Sequence, residues 1–184
     1  MSGGGSGSGS AGPAGAVEVR DAVLADAAAI ARVQVTTWRA AYAGLLPDHV
    51  LAGLSPVEHR ATWEARLPVS PPTSCLVADD GTVVVGFVTS GPVLAELGSE
   101  GTGQVYALYV SPARWRAGIG GALLAAAVDH LREAGFGSAT LWVLTTNAAA
   151  RAFYEHEGWE ATGRARVDTL YATEVPETEY ARRL

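Results

Sequence analysis

The chain has no lysine and a single cysteine among its 184 residues, and it has no long apolar run. The lone Cys75 excludes an intramolecular disulfide and a cysteine-based zinc site, and its apolar neighbours favour a core position over a role as nucleophile. No run approaches the roughly 18 apolar residues that a spanning helix needs, so we expect no membrane partner. The four histidines show no metal-ligand spacing, and we expect no metal site.

Positive charge is also scarce, since the formal net charge is −6 and all 13 cationic side chains are arginine. Nucleic-acid binding depends on a basic surface, so an acidic chain of this kind is not expected to bind nucleic acid. The charge suits a cationic substrate, although surface charge most often serves solubility alone. Without a recognisable targeting segment, a cytoplasmic location is expected.

The first sixteen residues consist largely of glycine, serine and alanine. This composition is typical of a disordered lead-in or an artificial linker. The remainder is long enough for one domain with a substantial core. We therefore expect a disordered segment at 1–16 and one domain at 17–184.

The stretch 110–124 predicts a strand that stops at Pro112, a loop carrying Arg114 and Arg116, and an apolar helix. The helix opens on Gly118-Ile-Gly120-Gly. Free N–H groups at a glycine-lined helix N-terminus bind phosphate groups well. Leu123 stands where the dinucleotide motif Gly-x-Gly-x-x-Gly has its third glycine, and the chain has no Walker lysine. Glycines at such a position also occur only to allow a tight turn and close packing.

A second motif occupies 141–159. An apolar run meets Thr146-Asn147, two helix-capping residues, and a short alanine-rich helix follows and ends at Gly158. Its pattern, Asn147-x-x-Ala-x-x-Phe-Tyr154-x-x-x-Gly-Trp, follows the phosphate-loop motif in the order found in one family. The two motifs together resemble the GNAT acyltransferase superfamily, and the segment from Trp38 to Pro47 is similar to a bacterial subgroup of it. The resemblance covers about 17–184.

The resemblance implies an α/β fold with a mixed, mostly antiparallel central sheet flanked by helices. The hydrophobic periodicity agrees with this order of elements. We expect strands at 17–20, 74–79, 82–89, 104–110, 138–144, 159–167 and 177–183, helices at 26–42, 56–67, 118–134 and 147–157, and a loop at 91–103.

The resemblance also implies acetyl-CoA, or another acyl-CoA, as acyl donor. Its pyrophosphate would bind backbone N–H groups at the phosphate loop, and its pantetheine arm would pair with the edge of the strand that ends at Val110. The N–H of Leu108 would stabilise the oxyanion. The implied donor-binding residues are Leu108, Tyr109, Val110, Arg116, Ala117, Gly118, Ile119, Gly120, Gly121, Asn147, Ala150 and Tyr154.

The resemblance assigns Tyr154 as general acid for the departing thiolate. Helical geometry separates Phe153 and Tyr154 by about 100°, so one can face the core and the other the donor. The alternative is that both are core aromatics. Trp115 stands in the first slot of the phosphate motif, where the family usually has Gln or Arg.

The general base stays open, because the slot that carries glutamate in some family members holds Gln104. An amide is no base at neutral pH. Four carboxylates in predicted loops are candidates, although each is also an ordinary solvated charge: Glu96, Glu100, Asp168 and Glu174.

An acceptor pocket is expected between 38–46 and a loop at 168–176. Trp38 and Tyr42 share a helical face there, although core packing explains both equally well. The leading hypothesis is an N-acetyltransferase acting on a primary amine of a small molecule. Alternatives are an acyl-CoA sensor or inactive homologue, and a peptide or protein N-acetyltransferase. Dimers are common in the family, so a homodimer is compatible with the resemblance.

Overall fold

The computed structural model describes residues 17–67, 69–93 and 101–184. Within these ranges lie seven strands and five α-helices. The expected disordered segment at 1–16 and the candidate bases Glu96 and Glu100 fall outside the described residues. The strands are β1 (Glu18–Asp21), β2 (Ser74–Asp79), β3 (Val84–Pro92), β4 (Thr102–Val110), β5 (Ser138–Leu144), β6 (Glu160–Leu170) and β7 (Thr173–Arg183). The helices are α1 (Ala27–Ala41), α2 (Asp48–Gly53), α3 (Pro56–Arg66), α4 (Ile119–Glu133) and α5 (Ala148–His156).

All seven strands form one sheet in the order β1-β2-β3-β4-β5-β7-β6. Neighbouring strands are antiparallel except β4 and β5, which are parallel. The expected mixed, mostly antiparallel sheet is confirmed. The single parallel pair follows from the α4 crossover, because a parallel connection needs a long excursion.

Helices cover both faces of the sheet. The apolar stripe of α4, including Leu123, Leu124 and Leu131, packs against one face together with Phe153 and Tyr154 of α5. The opposite face packs against α1 and α3 through residues such as Ile30 and Trp63. The lone Cys75 is buried in this second cluster, in agreement with a core role, and burial raises the pKa of its thiol to about 12.

The turn between β2 and β3 is longer than the Asp80-Gly81 pair suggests, and β3 begins at Val84 rather than at 82. Asp80 is the cause: its carboxylate accepts hydrogen bonds from the N–H groups of Thr82 and Val83 and from the Thr82 hydroxyl, at 2.6–3.1 Å. These bonds hold 80–83 as a side-chain-capped turn.

The expected loop at 168–176 is wrong. β6 continues to Leu170 and β7 begins at Thr173, so only Tyr171 and Ala172 form the turn. Both adopt left-handed backbone angles, with φ of 49° and 59°. Two-residue hairpins require this conformation and usually contain Asn or Gly, which explains why the sequence pattern missed the turn. No helix in the described part of the chain is long and apolar enough to cross a membrane.

Candidate active site

The parallel pair β4–β5 opens halfway along its length. Thr89 of β3 faces Ala107, whereas the next residue, Ser90, faces Val105, so Tyr106 is an extra residue in β4. Such a bulge bends a strand and disrupts its ladder. Pairing with β5 covers only 102–105 of β4. Beyond Tyr106, the β5-facing edge of β4 is therefore left without a strand partner.

Backbone direction along this edge follows from one hydrogen bond. The Ser111 N–H donates to the Val85 carbonyl of β3 at 2.8 Å. Because backbone groups of alternate residues point to opposite sides of a strand, the N–H groups of Leu108 and Val110 point toward the β4–β5 opening. The Val110 carbonyl is already engaged, since it accepts from the Thr37 hydroxyl at 2.9 Å and from Trp115 Nε1 at 2.7 Å.

The N-terminus of α4 lies at the end of the same strand. Gly118 is its N-cap, with φ of 79°, and Arg116 is also left-handed at 64°. The Ala122 N–H donates to the Gly118 carbonyl at 3.1 Å. The N–H groups of the first turn, from Ile119 to Gly121, have no intrahelical acceptor. Three donors and the positive end of the helix dipole therefore meet at this point.

Two of the glycines also serve packing between α4 and α5. A Cβ at Gly120 would lie 3.3 Å from the Phe153 ring, and one at Gly121 would lie 3.0 Å from the Glu157 carboxylate. The glycines therefore allow α4 and α5 to pack closely, and they also leave the N–H groups of the first turn open to an anion. Arg114, by contrast, is ion-paired with the buried Asp80. Its charge is largely offset, so Arg114 adds little positive charge to an anion site.

Helix α5 begins as expected at Asn147, whose Oδ1 accepts the Ala150 N–H at 3.1 Å. Phe153 and Tyr154 are both half-buried against the α4 cluster. Phe153 fills the space left by Gly120. The Tyr154 ring packs 6.4 Å from the rings of both Trp159 and Tyr180. The aromatic pair thus contributes to the core, and the Tyr154 side chain packs in the same cluster as Leu108 and Val110 of the open β4 edge.

Four ionisable side chains from four elements converge on the opening. Burial raises the pKa of Tyr154, and the neighbouring Tyr109 raises it further. The pKa of Tyr42 lies well above its ordinary value, first through burial and then through Tyr109, Tyr154 and Glu177. Tyr109 packs with the helices on the opposite face from Tyr154. Tyr109 and Tyr154 therefore lie on opposite faces of the sheet, close to the end of β4.

The acceptor side of the gap is lined by aromatic side chains. The rings of Trp38 and Tyr42 lie 5.1 Å apart, and the ring of Tyr171 lies edge-on to Trp38 at 6.1 Å. The Tyr171 hydroxyl is 3.0 Å from His59 Nε2. Trp38 is also buried among apolar residues of α2, β5 and β7, so it has the core role that the sequence allowed. The tip of the β6–β7 hairpin is thus attached to α1 and α3.

Of the predicted base candidates, two lie among the described residues, and one of them, Asp168, has its Oδ2 3.8 Å from Arg166 Nη2. Asp168 and Glu174 lie on strands β6 and β7, not in a loop, and Glu174 is exposed. Gln104 is only 5% exposed, and its Oε1 has no hydrogen-bond partner among the described residues. Sequence reasoning missed Glu177. The alternating pattern of β7 could have identified it, because residues two apart share a face of the sheet and Glu177 follows the buried Val175 by two.

The described residues contain no group of three or more His, Cys, Asp or Glu side chains arranged to hold a metal ion.

Solved structures share the fold of this chain. The structure of YncA from Salmonella typhimurium with its cofactor acetyl-CoA matches with a TM-score of 0.67 at 23% identity, over 91% of this chain and 94% of that chain.

The family follows from sequence comparison. Residues 38–159 match the model of the acetyltransferase (GNAT) family, and the chain belongs to that family. The N-acetyltransferase YuaI of Bacillus subtilis is 36% identical over 132 residues, which are 71% of this chain and 73% of that protein. The mycothiol acetyltransferase of Beutenbergia cavernae is 33% identical over 126 residues, or 66% of this chain and 40% of that protein. The chain is a GNAT N-acetyltransferase.

Proposed function

We propose that this N-acetyltransferase transfers an acetyl group from acetyl-CoA to a primary amine of a small molecule. The observation that carries the proposal is the opening between β4 and β5. It combines a free strand edge at Leu108–Val110, a helix N-terminus without a side-chain cap, and a half-buried tyrosine, and all three contribute to one cluster. YncA, which has the same fold, was solved with acetyl-CoA.

The donor-binding residues form two groups. The N–H groups from Arg116 to Gly121 would hold the pyrophosphate, with the dipole of α4 supporting its charge. The N–H groups of Leu108 and Val110 would pair with the amide groups of the pantetheine arm, in the manner of an added strand. The Val110 carbonyl is engaged by Thr37 and Trp115, so Val110 contributes only its N–H.

Two residues act on the reacting atoms. The Leu108 N–H would donate to the thioester oxygen as negative charge develops on it. The Tyr154 hydroxyl would give its proton to the departing sulfur. Burial raises the pKa of Tyr154, so the phenol keeps its proton at neutral pH until the C–S bond breaks. The Oδ1 of Asn147 caps helix α5, and its amide NH₂ would donate a hydrogen bond to the bound acetyl-CoA.

The attached hairpin favours a small acceptor over an extended peptide. Tyr171 contacts Trp38 of α1 and His59 of α3, so the hairpin spans the acceptor side of the opening. A peptide lying along the sheet would have to displace this contact. The net charge of −6 is compatible with a cationic amine. A cytoplasmic location and a homodimer stay predictions.

The experiment is thiol release from acetyl-CoA by the purified protein across polyamines, aminoglycosides, amino acids and short peptides. We expect release that depends on one class of small amine. Stimulation by peptides alone would overturn the small-molecule acceptor. Binding of acetyl-CoA without turnover across the panel would favour the sensor, and absence of binding would overturn the donor assignment.

A further inference from the structure

Glu177 has one engaged and one free carboxylate oxygen. Its Oε2 accepts a hydrogen bond from Arg166 Nε at 2.8 Å and forms an ion pair with Arg166 Nη2 at 2.7 Å. Its Oε1 makes no hydrogen bond with another described side chain or backbone group. The carboxylate is only 8% exposed. Oε1 is not one of the sealed, unpartnered polar atoms of the described residues, so it borders open space rather than protein and is accessible to a ligand.

Glu179, two residues along the same strand and on the same face, provides the contrast. It is 2% exposed and is also paired with an arginine of β6. Both of its oxygens are engaged: Oε1 accepts from Arg164 at 3.1 Å, and Oε2 accepts from the Thr162 hydroxyl at 2.8 Å. The free oxygen of Glu177 is therefore not a general property of buried glutamates in β7.

The environment of Glu177 is the acceptor side of the opening. It lies opposite Leu144 at the end of β5, and Leu144 packs in the cluster that contains Tyr42 and Tyr109. The charge of Glu177 also raises the pKa of both tyrosines. Arg166 is itself held in place, because its guanidinium lies 4.4 Å from the centre of the Trp142 ring. Glu177 is thus a rigidly held carboxylate at the point where an acceptor must approach.

We propose that Glu177 accepts the proton of the attacking amine through Oε1, and that Arg166 positions it. This assignment rests on the proposed function. It supplies the base that Gln104 cannot be. A lysine-like amine with a pKa near 10.4 is protonated at pH 7, so it must first lose one proton to solvent before its lone pair can attack. A carboxylate in hydrogen-bond reach then takes the second proton as the N–C bond forms.

The step balances as follows. The amine nitrogen forms a bond to the thioester carbonyl carbon and loses one proton to Glu177. The C–S bond breaks, and the sulfur takes one proton from Tyr154. Solvent then removes the proton from Glu177 and restores the one on Tyr154, so that the net products are the acetamide and free CoA thiol.

The charged and titratable groups that face Glu177 are Arg166 and Asp168 of β6, Tyr109 of β4 and Tyr42 at the end of α1. Burial raises the pKa of Glu177, Arg166 opposes this, and Asp168 reinforces it. A raised pKa strengthens the carboxylate as a base. Because the ionised form is the active one, activity falls as pH drops through this pKa.

The test compares Glu177→Gln with Glu179→Gln, both of which remove a buried charge from an arginine pair. With the amine that stimulates the wild type, we expect Glu177→Gln to lower kcat by about 10²-fold or more while acetyl-CoA affinity changes less than two-fold. The low-pH limb of kcat should disappear in Glu177→Gln and persist in Glu179→Gln. Thermal unfolding reports on folding of both variants.

Equal losses in the two variants, or an unchanged pH limb in Glu177→Gln, would overturn the assignment of Glu177 and leave the proposed function standing. A wild-type protein that transfers acetyl to no amine would contradict the proposed function itself, and the base with it.

Discussion

Trp115 Nε1 donates a hydrogen bond to the Val110 carbonyl at 2.7 Å and so joins the phosphate loop to the end of β4. Trp115 occupies the slot where the family usually has Gln or Arg, and here the exposed side chain positions the loop through this hydrogen bond. A bond of this type contributes about 1 kcal/mol, which corresponds to about five-fold in an equilibrium constant.

Trp115→Phe keeps the ring and loses the donor. We expect KM for acetyl-CoA to rise about five-fold with kcat nearly unchanged, because the loop binds donor atoms far from the reacting bond. Steady-state kinetics with varied acetyl-CoA measures both constants. A fall in kcat at constant KM would contradict a loop-positioning role.

Gly120→Ala introduces a methyl group 3.3 Å from the Phe153 ring. We expect a lower melting temperature, with a loss of about 1–3 kcal/mol in the free energy of unfolding, because the α4–α5 contact is already tight. Gly53→Ala is the control, since a Cβ in that helix would meet nothing within 4 Å. Equal melting temperatures for the two variants would show that α5 shifts to accommodate the added methyl group with no loss of stability.

Tyr154→Phe removes the hydroxyl and keeps the ring that packs against Trp159 and Tyr180. If Tyr154 is the general acid, turnover falls about 10–1,000-fold while CoA affinity barely changes. Tyr106→Phe serves as control, because that exposed tyrosine bonds the Pro92 carbonyl instead. Unchanged turnover in Tyr154→Phe would remove the hydroxyl from the mechanism.

Asp80 gives the fold a pH dependence of defined sign. Hydrogen bonds from Thr82 and Val83, helped by Arg114, lower the pKa of its carboxyl to about 2. A lowered folded-state pKa means that its stabilisation is complete above the unfolded value of about 3.9 and is lost as pH falls through about 2. Asp80→Asn should therefore melt below the wild type at pH 7, and the difference should narrow below pH 4. A difference in melting temperature that stays constant from pH 7 to below pH 4 would contradict the lowered pKa of Asp80.

The sequence predicted the sheet class and most elements because their periodicity and end signals are local. Asn147 caps α5 and Gly118 caps α4, both where the pattern indicates. The β6–β7 turn was missed because Tyr171 and Ala172 adopt angles that neither residue favours. Contacts elsewhere, such as Tyr171 with His59, hold the turn, and no local pattern reveals them.

The proposed donor-binding and acceptor-binding halves of the site also differ in how far the sequence predicts them. The proposed donor half comes from two short stretches, 108–121 and 147–154, so two sequence motifs describe it. The acceptor half is assembled from Tyr42, Tyr109 and Glu177, which lie far apart along the chain. Only the strand order, with β7 inserted between β5 and β6, brings Glu177 beside the opening. The predicted candidates Asp168 and Glu174 are its neighbours along the hairpin but do not share its burial.

The most direct test of an acetyl-CoA-dependent N-acetyltransferase uses acetyl-CoA labelled with ¹³C in the acetyl group and the amine that best stimulates thiol release. Mass spectrometry of the products should find the labelled acetyl group on the amine nitrogen, in an amount equal to the thiol released. Thiol release with the label recovered as free acetate would show hydrolysis rather than transfer and would contradict the account.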